Sequence, residues 1–189
     1  NSLVDEESRR VFLAFMLGNV SGRITDFIFD PMPQYFLEGF MPRAGDILID
    51  GGAYDGGSSA MFKKYGCEVY AFELDSNNFP TAYERGKAEG FTVENFGLGE
   101  YSYEINYVSN TTSSHVDMRG DLTAKIVSLD EYVDLKNLPR VDFIKLDIEG
   151  SELDMLKGAA LSIARWKPRL ALSAYHKPRD IDRKSTRLN

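Results

Sequence analysis

The stretch Asp46-Ile47-Leu48-Ile49-Asp50-Gly51-Gly52-Ala53-Tyr54-Asp55-Gly56-Gly57 constrains this chain more than any other. Ile47, Leu48 and Ile49 form an apolar run that ends on the Asp50 carboxylate, four glycines fall within the seven positions 51–57, and a helix-compatible segment opens at Ser58. Such a run, closed by a turn, reads as a buried parallel strand, a tight turn and a helix. Glycine has no side chain and reaches positive φ, so backbone in this turn can approach a ligand closely. The expectation is a ligand site at the carboxyl end of the first strand.

The following segments repeat the same logic. Ser58–Tyr65 reads as a helix, Glu68–Glu73 as a second strand, 78–87 as a helix and Phe91–Phe96 as a third strand. Val141–Asp147 makes a fourth strand, helical spacing runs from Leu153 to Ala164, and Arg169–Tyr175 makes a fifth. Strands alternating with helices at this spacing predict a Rossmann-like, doubly wound, mostly parallel α/β sheet with helices on both faces. Between the third and fourth strands the period changes. Tyr101, Tyr103, Ile105 and Tyr107 alternate with polar residues, a polar loop spans Ser109–Asp121, and alternation returns over Ala124–Leu129, so an inserted antiparallel pair is expected.

Residues 1–44 read as an amino-terminal helical cap packing on the core, with two short helices around Val11–Leu17 and Ile24–Ile28 before Pro31 and Pro33. The core spans 45–182. Arg183–Asn189 has neither strand nor helix period and reads as a non-native tail, and the start at Asn1 reads as a cut end. A formal charge of −7 argues against nucleic-acid and anionic-membrane partners. No apolar run approaches the ~18 residues of a membrane helix. Cys67 is the only cysteine, so no internal disulfide forms, and the chain is read as cytoplasmic, with Cys67 a small core residue. Nothing in the sequence indicates an oligomeric state.

Three predicted strands end in carboxylates, Asp50, Glu73 and Asp147, and in a parallel sheet these would share one rim. Glycine-rich strand-to-helix turns also hold phosphates and dinucleotides, so the turn alone does not choose a ligand. Here Asp50 and Asp55 flank the glycines and would repel a pyrophosphate. A cationic ligand with an adenosine half fits better, because Glu73, 23 positions after Asp50, is placed to accept two ribose hydroxyls. S-adenosylmethionine has these features.

With Asp50-Gly51-Gly52-Ala53-Tyr54-Asp55-Gly56, Ala71-Phe72-Glu73, Ser128-Leu129-Asp130-Glu131-Tyr132, Ile144-Lys145-Leu146-Asp147-Ile148-Glu149-Gly150-Ser151-Glu152 and Leu156-Lys157-Gly158-Ala159 in order, the chain resembles the FkbM family of S-adenosylmethionine-dependent methyltransferases. The similarity runs from about Gly45 to Asp180, and Lys-x-Asp-x-Glu-Gly-x-Glu is its most discriminating piece. The resemblance implies O-methylation of a sugar or secondary-metabolite acceptor, with a role in polysaccharide biosynthesis among the expectations. It implies that Asp50, Gly51, Gly52, Ala53, Tyr54 and Gly56 shape the methionine end of the cofactor site and that Glu73 and Leu74 hold the ribose side. Asn95 and Gly97 would meet adenine, and Asp147 and Glu149 would lie near the transferred methyl. His176 matches a histidine often found after the fifth strand of the family. Methyltransferases of this class usually add two further strands, for which the residues after Asp180 leave no room, so a core lacking its last strands is expected.

An alcohol needs a base, and His176, Asp147 and Glu149 are the candidates. His176 could equally cap a strand end, Glu149 and Glu152 could simply favour a helix start, His115 reads as solvated, and Lys145 reads as the partner of a neighbouring acid. Asp147 and Glu149 lack a third spaced ligand, so no metal site is assigned. Two other functions stay open: a cofactor-binding module without activity, and an NAD-dependent Rossmann oxidoreductase.

Overall fold

The computed structural model describes residues 6–26, 35, 36, 39–110, 113–116 and 122–173, in two units that divide after Met41. In the first unit a single helix, α1 (Glu6–Ser21), is followed by a 3-10 turn at Ile24–Asp26. One helix and a turn thus stand where two helices were expected. Phe27, Ile28, Pro31 and Pro33 lie outside the described residues.

The second unit is built on five parallel strands: β1 (Ile47–Gly51), β2 (Glu68–Phe72), β3 (Thr92–Glu94), β8 (Phe143–Leu146) and β9 (Arg169–Leu172), in the order β3-β2-β1-β8-β9. Every residue of β1 and β8 is buried, as strands covered on both faces require, with Asp50 and Lys145 the charged residues among otherwise apolar or glycine positions. The chain winds outward from β1 to β3 and then re-enters on the other side of β1 as β8. The strand order therefore reverses between β1 and β8, where open α/β sheets leave a crevice beyond the strand ends. Register places Asp50 of β1 beside Ala71 of β2 and Lys145 of β8. The helices α2 (Gly57–Lys64), α3 (Phe79–Glu89), α4 (Leu129–Lys136), α5 (Glu152–Gly158) and α6 (Ala160–Trp166) complete the expected Rossmann-like α/β architecture. Aromatic rings fill the sheet faces: Phe62 of α2 lies 6.1 Å from Phe143, and Phe72 meets Tyr132 of α4 edge-on at 4.7 Å.

The predicted third strand is two. Its first half, β3, belongs to the parallel sheet. At Asn95 the chain turns out of it, and β4 (Phe96–Leu98) opens a second sheet with β5 (Tyr103–Asn110), β6 (Ser113–Val116) and β7 (Leu122–Val127), ordered β4-β7-β5-β6. The expected antiparallel pair is present as β5 and β7, and the sheet is larger than the pair because β4 joins β7 in parallel and β6 joins β5. Part of the segment read as a polar loop is thus the strand β6, which carries His115. The alternation on β5 also misled in part. Tyr107 is buried, whereas Tyr101 and Tyr103 are 67% and 50% exposed, so the inward face begins only at Ile105.

α4 was not expected, although its signal was present. Ser128 and Glu131 have the spacing of a helix N-cap, and Ser128 Oγ accepts the Glu131 N–H at 3.3 Å. The helix expected after Asp147 is broken at Ala159 into α5 and α6. Asp130 supplies the reason: its carboxylate accepts the Leu161 N–H, the Ser162 N–H and the Ser162 hydroxyl at 2.9, 2.8 and 2.6 Å, so α6 starts on its own cap.

At the amino-terminal rim of the sheet, Asp46 pairs with Arg169, and Asp142 accepts the Ile47 N–H at 2.8 Å and pairs with Arg140 at 2.7 Å. These ties hold β1, β8 and β9 together far from the opposite rim. Cys67 is core, 2% exposed, and burial pushes its thiol up to about 11, so it is a poor nucleophile at neutral pH.

Candidate active site

The carboxyl ends of β1, β2 and β8 bring Asp50, Glu73 and Asp147 to one rim, as the sequence predicted. They do different work there. Asp50 is fully buried; its Oδ2 accepts the hydroxyls of Ser58 and Ser59 at 2.7 and 2.6 Å, and its Oδ1 lies 2.8 Å from the Lys145 ammonium. Lys145, 3% exposed, also donates to the Gly51 and Gly52 carbonyls at 3.2 and 2.7 Å. Asp50 therefore acts from beneath the turn, fixing the first helical turn of α2 and, through Lys145, two turn carbonyls. The reading of Lys145 as partner of an acid agrees with this geometry.

The glycine turn needs its glycines at particular points. Gly52 has φ 75°, and a Cβ there would stand 1.9 Å from the Asp147 carbonyl oxygen, so the β1 turn and the β8 end are packed backbone to backbone. The Gly52 and Ala53 N–H groups both donate to the Phe72 carbonyl at 3.0 Å, Asp147 N–H donates to the Gly51 carbonyl at 3.1 Å, and Gly56 caps α2 with φ 80°. Tyr54 takes φ 54° between them, a costly conformation for an aromatic residue, and the residue is 52% exposed at the rim.

Glu73 holds Tyr54 in that conformation. Its Oε2 accepts the Tyr54 N–H at 2.7 Å and its Oε1 accepts the Asp75 N–H at 2.8 Å. Burial pushes the Glu73 carboxyl up, the neighbouring Asp75 adds to this, and the two backbone donors and the Lys145 ammonium pull it back. Each carboxylate oxygen has taken one N–H and retains acceptor capacity, which suits the two hydroxyls of a ribose. The residues present thus fit an adenosyl ligand.

A pyrophosphate at this turn would meet acids that are already paired. Both acids beside the glycines have cationic partners: Asp50 has Lys145, and Asp55 pairs with Arg85 at 3.2 Å. Asp55 Oδ1 also accepts the Gly57 N–H at 2.9 Å. A carboxylate of the chain itself occupies the start of α2, where a dinucleotide phosphate would bind. Exclusion by occupancy replaces exclusion by net charge.

Asn95 and Gly97 have structural places. Asn95 Nδ2 donates to the carbonyls of Glu73 and Leu74 at 2.8 and 3.2 Å, and Gly97 lies against the side chains of Leu74 and Ile126. Asp147 is half-buried just past β8, and Glu149 is exposed with φ 53°. Glu152, fully buried, shapes this loop by accepting the Ile148 and Gly150 N–H groups, both at 3.3 Å. The sequence suggested only a helix-start preference for Glu152, and nothing in its spacing distinguished the loop-binding role. His176 lies outside the described residues, so of the three candidate bases the structure brings Asp147 and Glu149 to the rim.

A parallel sheet with its crevice at the strand-order reversal, a glycine turn and an acid after the second strand define a Rossmann-like α/β fold with a ligand site at the carboxyl ends of its strands. The family model for the methyltransferase FkbM domain matches residues 50–185, and the chain belongs to this family. It is 31% identical over 119 residues to the hexuronic acid methyltransferase AglP of Haloferax volcanii, covering 60% of this chain and 49% of the relative. The crystal structure of methyltransferase FkbM from Methylobacillus flagellatus superposes with a TM-score of 0.68 at 26% identity, over 97% of this chain and 48% of that one. The chain thus spans about half the length of either.

Proposed function

We propose that this chain is an S-adenosylmethionine-dependent O-methyltransferase that methylates a hydroxyl of a sugar or secondary-metabolite acceptor. The observation that carries the reading is the Glu73 carboxylate, fixed by two backbone N–H groups at the rim beside the glycine turn. The similarity to a hexuronic acid methyltransferase favours a glycan or small-molecule acceptor, and no helix among the described residues is long and apolar enough to cross a membrane.

The bound cofactor supplies a methyl carbon already activated by its sulfonium. Glu73 orients the ribose, and the turn 51–56 with the Asp147 backbone lines the methionine end. Positioning of this kind supplies on the order of 7–11 kcal/mol of barrier lowering. With the cofactor held by Glu73 and the turn 51–56, Asp147, Glu149 or His176 would take the proton of the acceptor hydroxyl and free its oxygen for the methyl group. For His176 the expected result of His176→Ala is lower turnover with unchanged cofactor affinity; full activity removes it as the base.

Titration calorimetry with S-adenosylhomocysteine and with NAD tests the cofactor, and binding of NAD alone would overturn the proposal. Release of S-adenosylhomocysteine from S-adenosylmethionine in the presence of hexuronic-acid glycosides tests the acceptor. Charge-assisted hydrogen bonds are roughly twice as strong as neutral ones, so Glu73→Gln is expected to weaken cofactor binding by about tenfold or more. Glu73→Ala should weaken it further. pH has opposite effects on folding and binding. Because burial raises the Glu73 pKa, protonation favours the folded state, a contribution complete below the ordinary carboxylate value and lost as pH rises through the raised one. The ribose needs the charged form. Cofactor affinity should therefore fall on acidification at a higher pH than an ordinary glutamate would give, and Glu73→Gln should remove that component of the pH dependence.

A further inference from the structure

The second sheet carries a residue that the proposed reaction does not explain. Tyr107 lies in the middle of β5, is 1% exposed, and belongs to the segment inserted between β3 and β8. A buried phenol is expected to find a polar partner, and this one finds it outside its own sheet. Tyr107 Oη accepts the Ser76 N–H at 3.0 Å and shares a second hydrogen bond of 3.0 Å with the Ser76 hydroxyl. Ser76 directly follows Asp75, whose N–H is bound by Glu73 Oε1.

The turn after β2 is therefore held from two sides. Asn95 binds the carbonyls of Glu73 and Leu74, and Tyr107 binds the backbone of Ser76. Glu73 is one of the anchored residues, and Asp75, whose N–H its carboxylate binds, lies between the two anchors. A carboxylate that must meet two adjacent hydroxyls tolerates little displacement, since such hydrogen bonds weaken steeply as their angles open. We propose that Tyr107 is a positioning residue for the ribose-binding carboxylate, through which the inserted sheet tunes cofactor affinity. This rests on the reading of Glu73 as the ribose-binding residue.

The test compares wild type, Tyr107→Phe and Ser76→Ala in the 189-residue chain, at a temperature where all three are folded. Affinities are measured by calorimetry for S-adenosylhomocysteine and its 2′-deoxyribose analogue. Tyr107→Phe keeps the buried ring and removes only the hydroxyl. Both bonds to Ser76 are lost, and since one net hydrogen bond corresponds to a factor of roughly 3–10, S-adenosylhomocysteine affinity should fall by at least that factor. The wild-type preference for the hydroxylated ligand should shrink, because a displaced carboxylate no longer distinguishes the two. Ser76→Ala removes one of the two bonds and leaves the sheet untouched, so it should move both readouts the same way by about two- to threefold. Unchanged affinity in both variants overturns the proposal, and so does weaker binding with the ligand preference intact. If wild type binds S-adenosylhomocysteine and Glu73→Gln binds equally well, the ribose assignment itself fails. If Glu73→Gln weakens binding and Tyr107→Phe does not, only the role of Tyr107 fails.

Discussion

Lys145→Met is expected to destabilise the fold by about 3–5 kcal/mol, the range for leaving one member of a buried ion pair without its partner. Asp50 is fully buried, and its Oδ1 faces only the Lys145 ammonium among the contacts described above. Methionine matches the length of the lysine stem and fills the same space, so the loss is chiefly electrostatic. In a domain of this size the melting temperature should fall by roughly 6–20 °C. Thermal denaturation of three variants separates the contributions. Asp50→Asn keeps an acceptor for Ser58 and Ser59 while stranding the ammonium, and it should also be severe. The double variant Asp50→Asn/Lys145→Met removes both charges and should cost clearly less than the sum of the single changes. If each single change costs under about 1 kcal/mol, or the effects simply add, the pair does not brace the turn.

Gly52→Ala has the second largest expected effect, and Gly56→Ala is its control. Both glycines have positive φ, 75° and 80°, so each alanine carries the left-handed penalty of about 1–2 kcal/mol. Only Gly52 adds a collision. Its Cβ would stand 1.9 Å from the Asp147 carbonyl oxygen, whereas at Gly56 the nearest atoms are at 3.4 Å, ordinary contact. Backbone cannot rotate away as a side chain can, so the ends of β1 and β8 must part, adding an overpacking cost of roughly 1–3 kcal/mol. Gly52→Ala should therefore be less stable than Gly56→Ala by that margin and should lose measurable S-adenosylhomocysteine binding. Equal stability of the two variants would show that the crevice opens without cost.

The parallel sheet was legible because burial on both faces leaves mostly apolar runs: Ile47–Ile49 is unbroken, and Phe143–Leu146 is interrupted only by Lys145. The rim acids were legible because each terminates such a run. What escaped depends on partners distant in sequence. The division of the third strand at Asn95 follows from a side chain reaching carbonyls more than twenty positions earlier. The break between α5 and α6 follows from Asp130, about thirty positions before it. Neither leaves a periodic trace. Ser128 with Glu131 did leave a local one, and the alternation running up to Leu129 obscured it. The charges beside the glycines were visible in sequence, but their neutralisers were not, since Arg85 and Lys145 lie 30 and 95 positions from their acids, Asp55 and Asp50.

Asn95 also sets a limit on engineering. The chain leaves the parallel sheet at this residue, and the same amide secures the carbonyls of Glu73 and Leu74. A deletion joining Glu94 to Ser128, the natural way to excise the second sheet, would remove that tether along with the strands. Swapping this segment between homologues carries the same hazard unless the incoming piece begins with an asparagine. The second sheet cannot be treated as a detachable module, because the residue that leads into it already secures the turn after β2.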